Sequence, residues 1–172
     1  MNLVPAALSS GSNPLDVERW RAALGTPLGK TNASLLQAMV HGNTMSHKEW
    51  LHLDNERQHL RLRYAEFFEG WDVLLCPAAA GPAWPHDHQG ERWMREIAVN
   101  GQPVPVTDQR FWSGLSGVVY LPSTVGPAGF TRSGLPLGYQ AIAGFGRDRT
   151  AVAFSRAVER ELGGFVAPPG FD

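Results

Sequence analysis

Residues 121–144, LPSTVGPAGFTRSGLPLGYQAIAG, constrain the fold more than any other stretch. Two apolar runs, Ser123 to Phe130 and Leu135 to Ala143, are joined by the polar, glycine-ended Thr131-Arg132-Ser133-Gly134, the pattern of a strand, a turn and a strand. Pro122, Pro127 and Pro136 each lack a ladder donor and fix φ, and Gly126, Gly129 and Gly138 loosen the backbone between them. A pair built this way is expected either at a sheet edge or bent to meet another part of the molecule.

The flanking segments alternate helix and strand signals. Val17, Trp20 and Leu24 form a short helical stripe opened by Asp16 and stopped by Gly25, and residues 33–41 form a second short helix ending at Gly42. The earlier residues 1–15, rich in Ser, Gly, Pro and Asn, read as a loose arm or loop. Ser46-His47-Lys48-Glu49 is a capping box that opens a long helix to about Glu69. Trp50, Leu53, Leu60, Tyr64 and Phe67 are the expected packing stripe of that helix, with Gly70 its stop. Trp71 to Pro77 is a continuous apolar run closed by proline and predicts a strand buried on both faces. Residues 78–90 then form a loop of small residues and prolines, a plausible lip over a cleft. Arg92 to Val99 and Gln102 to Val106 flank Asn100-Gly101, a type I′ hairpin signal, with Ile97, Val99, Val104 and Val106 turned inward. Thr107 is expected to cap a helix carrying Phe111, Trp112 and Leu115. Asp148 is expected to cap a last helix, Arg149 to Leu162, with Ala151, Phe154, Ser155, Val158 and Leu162 on one side and Gly163 ending it. These elements predict an α/β protein, a mixed β-sheet packed by helices, as a single domain over 1–172.

Composition narrows the function. A formal charge of -1, with no dense Lys/Arg cluster, disfavours nucleic acid and anionic membrane as partners. No apolar run reaches the ~20 residues a transmembrane helix needs, and the N-terminus lacks a basic signal region. The single cysteine, Cys76, cannot form an internal disulfide and fits a reducing cytoplasm.

Several short patterns invite a chemical reading and fail on spacing. Gly25 to Thr31 resembles a phosphate loop, but Leu24 stands where its first glycine is required and no apolar strand feeds it. His52 and His59 lack a third ligand at suitable spacing. His86-Asp87-His88 could reach a third ligand only through Asp87 or Glu91, so no metal and no cofactor is expected. A cysteine closing an apolar strand is ordinarily an inert small hydrophobe, which weighs against Cys76 with His86 or His88 as a nucleophile pair.

Four stretches carry a resemblance: Glu56-Arg57 through Phe68 into WDVLLCP, then LPSTVGPAGFTRSGLPLGYQAIAG, then the helix from Asp148 to Leu162, then LGGFVAPPGF. In this order they closely resemble the C-terminal part of the amidase signature enzymes, over 46–172; residues 1–45 match poorly. The resemblance implies carboxamide hydrolysis by a Ser-cis-Ser-Lys triad, in which a lysine poises one serine as proton shuttle, a second serine attacks the carbonyl, and glycine-rich backbone amides hold the oxyanion. That machinery has no counterpart in this sequence. Its lysines are Lys30 and Lys48, and Ser9-Ser10-Gly11-Ser12 precedes Lys30 and lacks the glycines of the family's G-G-S-S-G-G-S run. No catalytic residue is therefore carried over. The resemblance implies for Trp84 and Trp112 a place in a substrate-pocket wall. It further implies that a small amide substrate is met only when a missing N-terminal amidase segment or subunit completes the site. The alternative expectation is a non-catalytic assembly module whose open sheet pairs with another subunit or, as a homo-oligomer, with a copy of itself.

Overall fold

A computed structural model of the chain describes residues 41–90, 95–168, 170 and 171. The helix expected over 17–24, nearly all of that over 33–41, and the loop carrying Lys30 lie outside the described residues. Residues 41–44 are helical, so the helical backbone runs past Gly42.

Helix α1 spans His47–Gly70. Its capping box forms as the sequence dictates: Glu49 N donates to Ser46 Oγ at 3.3 Å, and Ser46 N donates to Glu49 Oε2 at 2.7 Å. These bonds favour the ionised Glu49 side chain and hold its pKa below the usual carboxylate value, the backbone bond contributing most. The packing stripe differs from expectation. Phe68 is the buried residue, 3% exposed, whereas Phe67 and Trp50 face outward. The reason is that α1 packs through its C-terminal end, where Phe68 lies against Gly144, a position whose added Cβ would come within 3.3 Å of the Phe68 Cβ. Gly70 is the last helical residue, and Trp71 is already extended.

Strands β1 (Val73–Pro77), β4 (Ser123–Phe130) and β5 (Pro136–Ala143) form an antiparallel sheet in the order β1-β5-β4. Between β1 and β4 run a two-stranded hairpin, β2 (Glu96–Val99) and β3 (Gln102–Pro105), a 3-10 turn over Val106–Gln109, and helix α2 (Arg110–Gly117). Helix α3 (Asp148–Leu162) follows β5. The architecture is mixed α/β, with antiparallel sheets and helices packed on them. Proline placement explains the strand order. Pro136 opens the central β5, while Pro127 lies in the outer β4, beside a bulge between Pro127 and Gly129 where Gly129 takes φ 117°. The turn between them closes through Thr131 N donating to Leu135 O at 2.8 Å and Gly134 N to Thr131 O at 3.0 Å, with Gly134 at φ 81°.

The two faces of the sheet are covered by different helices. Register places Tyr139, Ala141 and Ala143 of β5 on one face and Gln140 and Ile142 on the other. The Tyr139 ring meets Phe154 of α3 edge-on at 6.4 Å, and Gln140 Nε2 donates to the Trp112 carbonyl of α2 at 3.1 Å. Val119, Ala141, Ile142, Ala143 and Ala151 form the core between them, together with Phe68. Three expectations are corrected here. β1 is not buried on both faces: Leu75 is 57% exposed, because β1 pairs with β5 alone among the described strands and α3 sits mainly over β4 and β5. Thr107 does not cap α2; it is buried inside the 3-10 turn, and α2 starts after Gln109 without a side-chain cap. Asp148 is the first residue of α3 rather than its cap, which is Arg147; its carboxylate still sits in the first turn, where the helix dipole favours negative charge. Leu162, expected to face inward on α3, is exposed.

Candidate functional site

The hairpin behaves as its sequence predicts. Asn100 and Gly101 take φ 53° and 75°, the left-handed pair a type I′ turn requires, and Ile97 lies opposite Val104. The loop leaving β1 is tied down on both sides: Ala78 N donates to Gly138 O at 3.1 Å, and Ala80 N to the Gln109 side-chain oxygen at 2.8 Å. Farther along, Asp87 Oδ1 accepts from Gln89 N at 2.8 Å, and Arg95 Nη2 donates to Gly90 O at 3.1 Å. Val106 N donates to Arg95 O at 3.0 Å and closes the base of the hairpin.

Between this loop and the hairpin lies a cleft of about 440 Å³. Trp84 and His86 wall it from the loop, Ile97 and Val106 from the hairpin, and Asp87 and Arg95 bring charge of opposite sign. Trp84 therefore lines a cleft. Trp112 does not line this one: it is half-buried on α2, edge-on to Phe111 at 5.3 Å, and its carbonyl is engaged by Gln140. Arg95 was not singled out in the sequence; its signal was a cation opening the strand of an Asn-Gly hairpin next to a proline-rich loop.

A second polar group sits beneath the sheet. Gln140, 5% exposed, donates from Nε2 to Cys76 Sγ at 3.3 Å as well as to the Trp112 carbonyl. Tyr64 of α1 stands near Cys76; burial, and after it the Cys76 sulfur, raises the Tyr64 phenol above its ordinary pKa. Ser116 and Ser123 share a hydroxyl bond of 3.3 Å, joining α2 to β4. The signal for Gln140 was one amide inside the apolar run GLPLGYQAIAG, a position a buried polar residue takes only when its bonds are met.

None of these groups forms a nucleophile-base pair among the described residues. The partner of Cys76 is Gln140, while His86 and His88 pack edge-on against each other at 5.8 Å. His52 pairs with Glu56 at 3.3 Å on the outside of α1. Among the described residues no three His, Cys, Asp or Glu side chains gather as a metal site would require. Lys48 lies on the exposed first turn of α1, remote in sequence from the Ser116-Ser123 pair. The geometry equips the cleft to bind a small molecule and equips the buried polar group to hold α1, α2 and the sheet together.

A family model described as Amidase matches residues 14–152. The chain is 37% identical over 60 residues to the fatty-acid amide hydrolase 2 of Homo sapiens, covering 35% of this chain and 11% of that protein. Among solved structures it resembles a bacterial aryl acylamidase of the amidase signature family, at TM-score 0.61 and 21% identity over 87% of this chain and 31% of that one. It also resembles an inhibitor-bound structure described as a vestigial protein complex bearing on the origins of an s-triazine catabolic enzyme, at TM-score 0.62 and 18% identity, over 96% of this chain and 40% of that one. The two structural likenesses establish the fold, and in each of these comparisons the chain spans less than half of the relative's length. Among the described residues no helix is long and apolar enough to cross a membrane.

Proposed function

This chain belongs to the amidase family, and we propose that it supplies the C-terminal part of an amidase-type hydrolase, completing its sheet and one wall of its amide site. In this proposal the chain is one domain over 1–172, is inactive alone, works in the reducing cytoplasm, and meets a small amide only when an N-terminal amidase segment or subunit is joined to it. The observation that carries the proposal is chemical. The sequence matches the family model over 14–152, yet its lysines are Lys30 and Lys48 and it has no glycine-rich run bearing two serines. Trp84, already lining a cleft, is assigned to the pocket wall, and Trp112 is assigned to it from the α2 side. The test is amide hydrolysis by the purified chain, alone and mixed with an N-terminal amidase segment. Turnover is expected in the mixture only; serine-dependent turnover by the chain alone would overturn the proposal.

A second function, a non-catalytic assembly module, is favoured by the exposed apolar side chains on and beside the sheet. Leu75 on β1, Val125 and Phe130 on β4, and Trp71 and Phe145 at the sheet ends are all more than half exposed. Such surfaces, on strands with an open edge, favour association with another subunit or a second copy. Light scattering at high concentration is expected to show a homo-oligomer, and a clean monomer would count against this function.

A further inference from the structure

The cleft beside the hairpin holds two unspent charges of opposite sign. Arg95 makes one hydrogen bond, to Gly90 O, and its Nε is buried without a partner. A guanidinium carries five N–H donors and is at ease only when they are answered, so a buried unpaired Nε marks unused donor capacity. Asp87 lines the same cleft, and its Oδ1 accepts only from a backbone N–H two residues on. Arg95 and Asp87 are nevertheless not paired with each other, since the described ion pairs are His52 with Glu56 and Arg57 with Asp54. Two opposite charges on one cleft at this size would ordinarily close on each other; holding them apart leaves a positive and a negative station. Between the stations the lining is apolar and aromatic, with Trp84, Ile97 and Val106.

We propose that this cleft binds a small zwitterion with an aromatic or apolar body, of the amino-acid class. Arg95 receives the carboxylate, where planar donors suit two acceptor oxygens. Asp87 receives the ammonium, and Trp84 offers its face to the body of the ligand and to the cation. His86 and Glu96, the other ionisable groups on the lining, flank the two stations. A simple carboxylic acid would leave Asp87 and Glu96 facing it unanswered, and a simple amine would leave Arg95 unanswered, so both charges are needed together. The cleft volume of about 440 Å³ accommodates a ligand of this size. The inference goes beyond amide cleavage and does not need it, because binding is read in the chain by itself.

The test titrates L-phenylalanine, phenylpropionate and phenethylamine into the full chain by calorimetry, with chemical-shift changes at Trp84 as the site marker. L-Phenylalanine is expected to bind at least about tenfold more tightly than either half-ligand, as two charge-assisted contacts exceed one. Arg95→Gln is expected to abolish its advantage over phenethylamine, and Asp87→Asn, which keeps the Oδ1 acceptor for Gln89, its advantage over phenylpropionate. No binding, equal affinity for the three ligands, or advantages that survive both substitutions would overturn the proposal. Should Arg95→Gln unfold the hairpin, the Asp87→Asn arm on the exposed loop decides alone. Failure of this test would leave the amide-hydrolysis mixing experiment untouched, and the reverse also holds.

Discussion

Strand β5 and helix α1 are built from equally clear local signals and end in opposite environments. Residues 140–143 of β5 are buried without interruption, hydrogen-bonded to β1 and β4 on either side and covered by α2 and α3 above and below. Helix α1 has 24 residues, about 36 Å at the usual rise, and buries Phe68. Its middle is held by Arg57 and Arg61, which stack on Tyr120 at 4.6 and 5.4 Å, and Arg61 also faces Phe145 at 5.0 Å. Hydrogen bonds from Arg57 to the Tyr120 hydroxyl and to Asp54 complete that anchor. Burial lowers the Arg57 pKa, but these bonds outweigh it and leave the guanidinium more firmly protonated than usual. The contrast teaches that a helix can be specified by its own cap and propensity, whereas the energy of this fold is concentrated where layers meet.

The widest break in that contrast comes from the centre of β5. Ile142 is wholly buried, so Ile142→Ala removes its packing and leaves a cavity, an expected loss of about 3–4 kcal/mol by chemical denaturation. A loss below about 1 kcal/mol would mean that β5 is not the energetic centre. Within α1, two adjacent phenylalanines sharpen the comparison. Phe68→Ala is expected to cost about 3 kcal/mol and Phe67→Ala less than about 1, because only Phe68 reaches Gly144 and the carbonyl-bonded Arg147. Equal losses would show that the outward face of α1 is also packed in solution. Next in size is Gln140→Met, nearly isosteric but without the amide donor. It strands the Trp112 carbonyl and is expected to cost about 1–2 kcal/mol, visible as a lower melting temperature.

The strand pair, the hairpin and the capping box were legible in the sequence because each is decided within a few residues. Asn100-Gly101 fixes its own turn, Ser46 and Glu49 satisfy each other, and Pro127 and Pro136 exclude themselves from central ladder positions. What spacing could not reveal was which face found a partner. Phe67 and Phe68 lie next to each other on one helix, and only the approach of Gly144 decides between them. Leu75 sits in an unbroken apolar run that reads as fully buried, yet β1 ends as the outer strand. The cleft was half legible: the proline-rich lip and Trp84 were foreseeable, but Arg95 gains its meaning from Gly90 and Asp87, which local pattern does not bring to it. Trp112 shows the same limit, since one apolar residue on a short helix serves equally as a wall or as core.

The smallest expected effect lies at the far end of α1 from the sheet, and its pH dependence makes it decisive. Glu49 is fully exposed, and its contribution comes from accepting the Ser46 backbone N–H and sitting in the first turn of the helix. Its folded pKa lies below the unfolded one, so its contribution is present above the unfolded value and is lost as pH falls through the folded value. Glu49→Gln keeps an acceptor oxygen for Ser46 but removes the charge. At neutral pH the variant is expected to melt slightly below the parent chain, and the two curves should converge as acid protonates Glu49. A gap that persists unchanged below the carboxylate range would assign the effect to lost hydrogen-bond geometry rather than charge. Because α1 is anchored to the sheet only near Phe68, the convergence should appear in helix signal by circular dichroism before it appears in the burial of the β5 core. Simultaneous loss of both signals would show that the capped end of α1 and the β5 core unfold as one unit, and would erase the distinction between them.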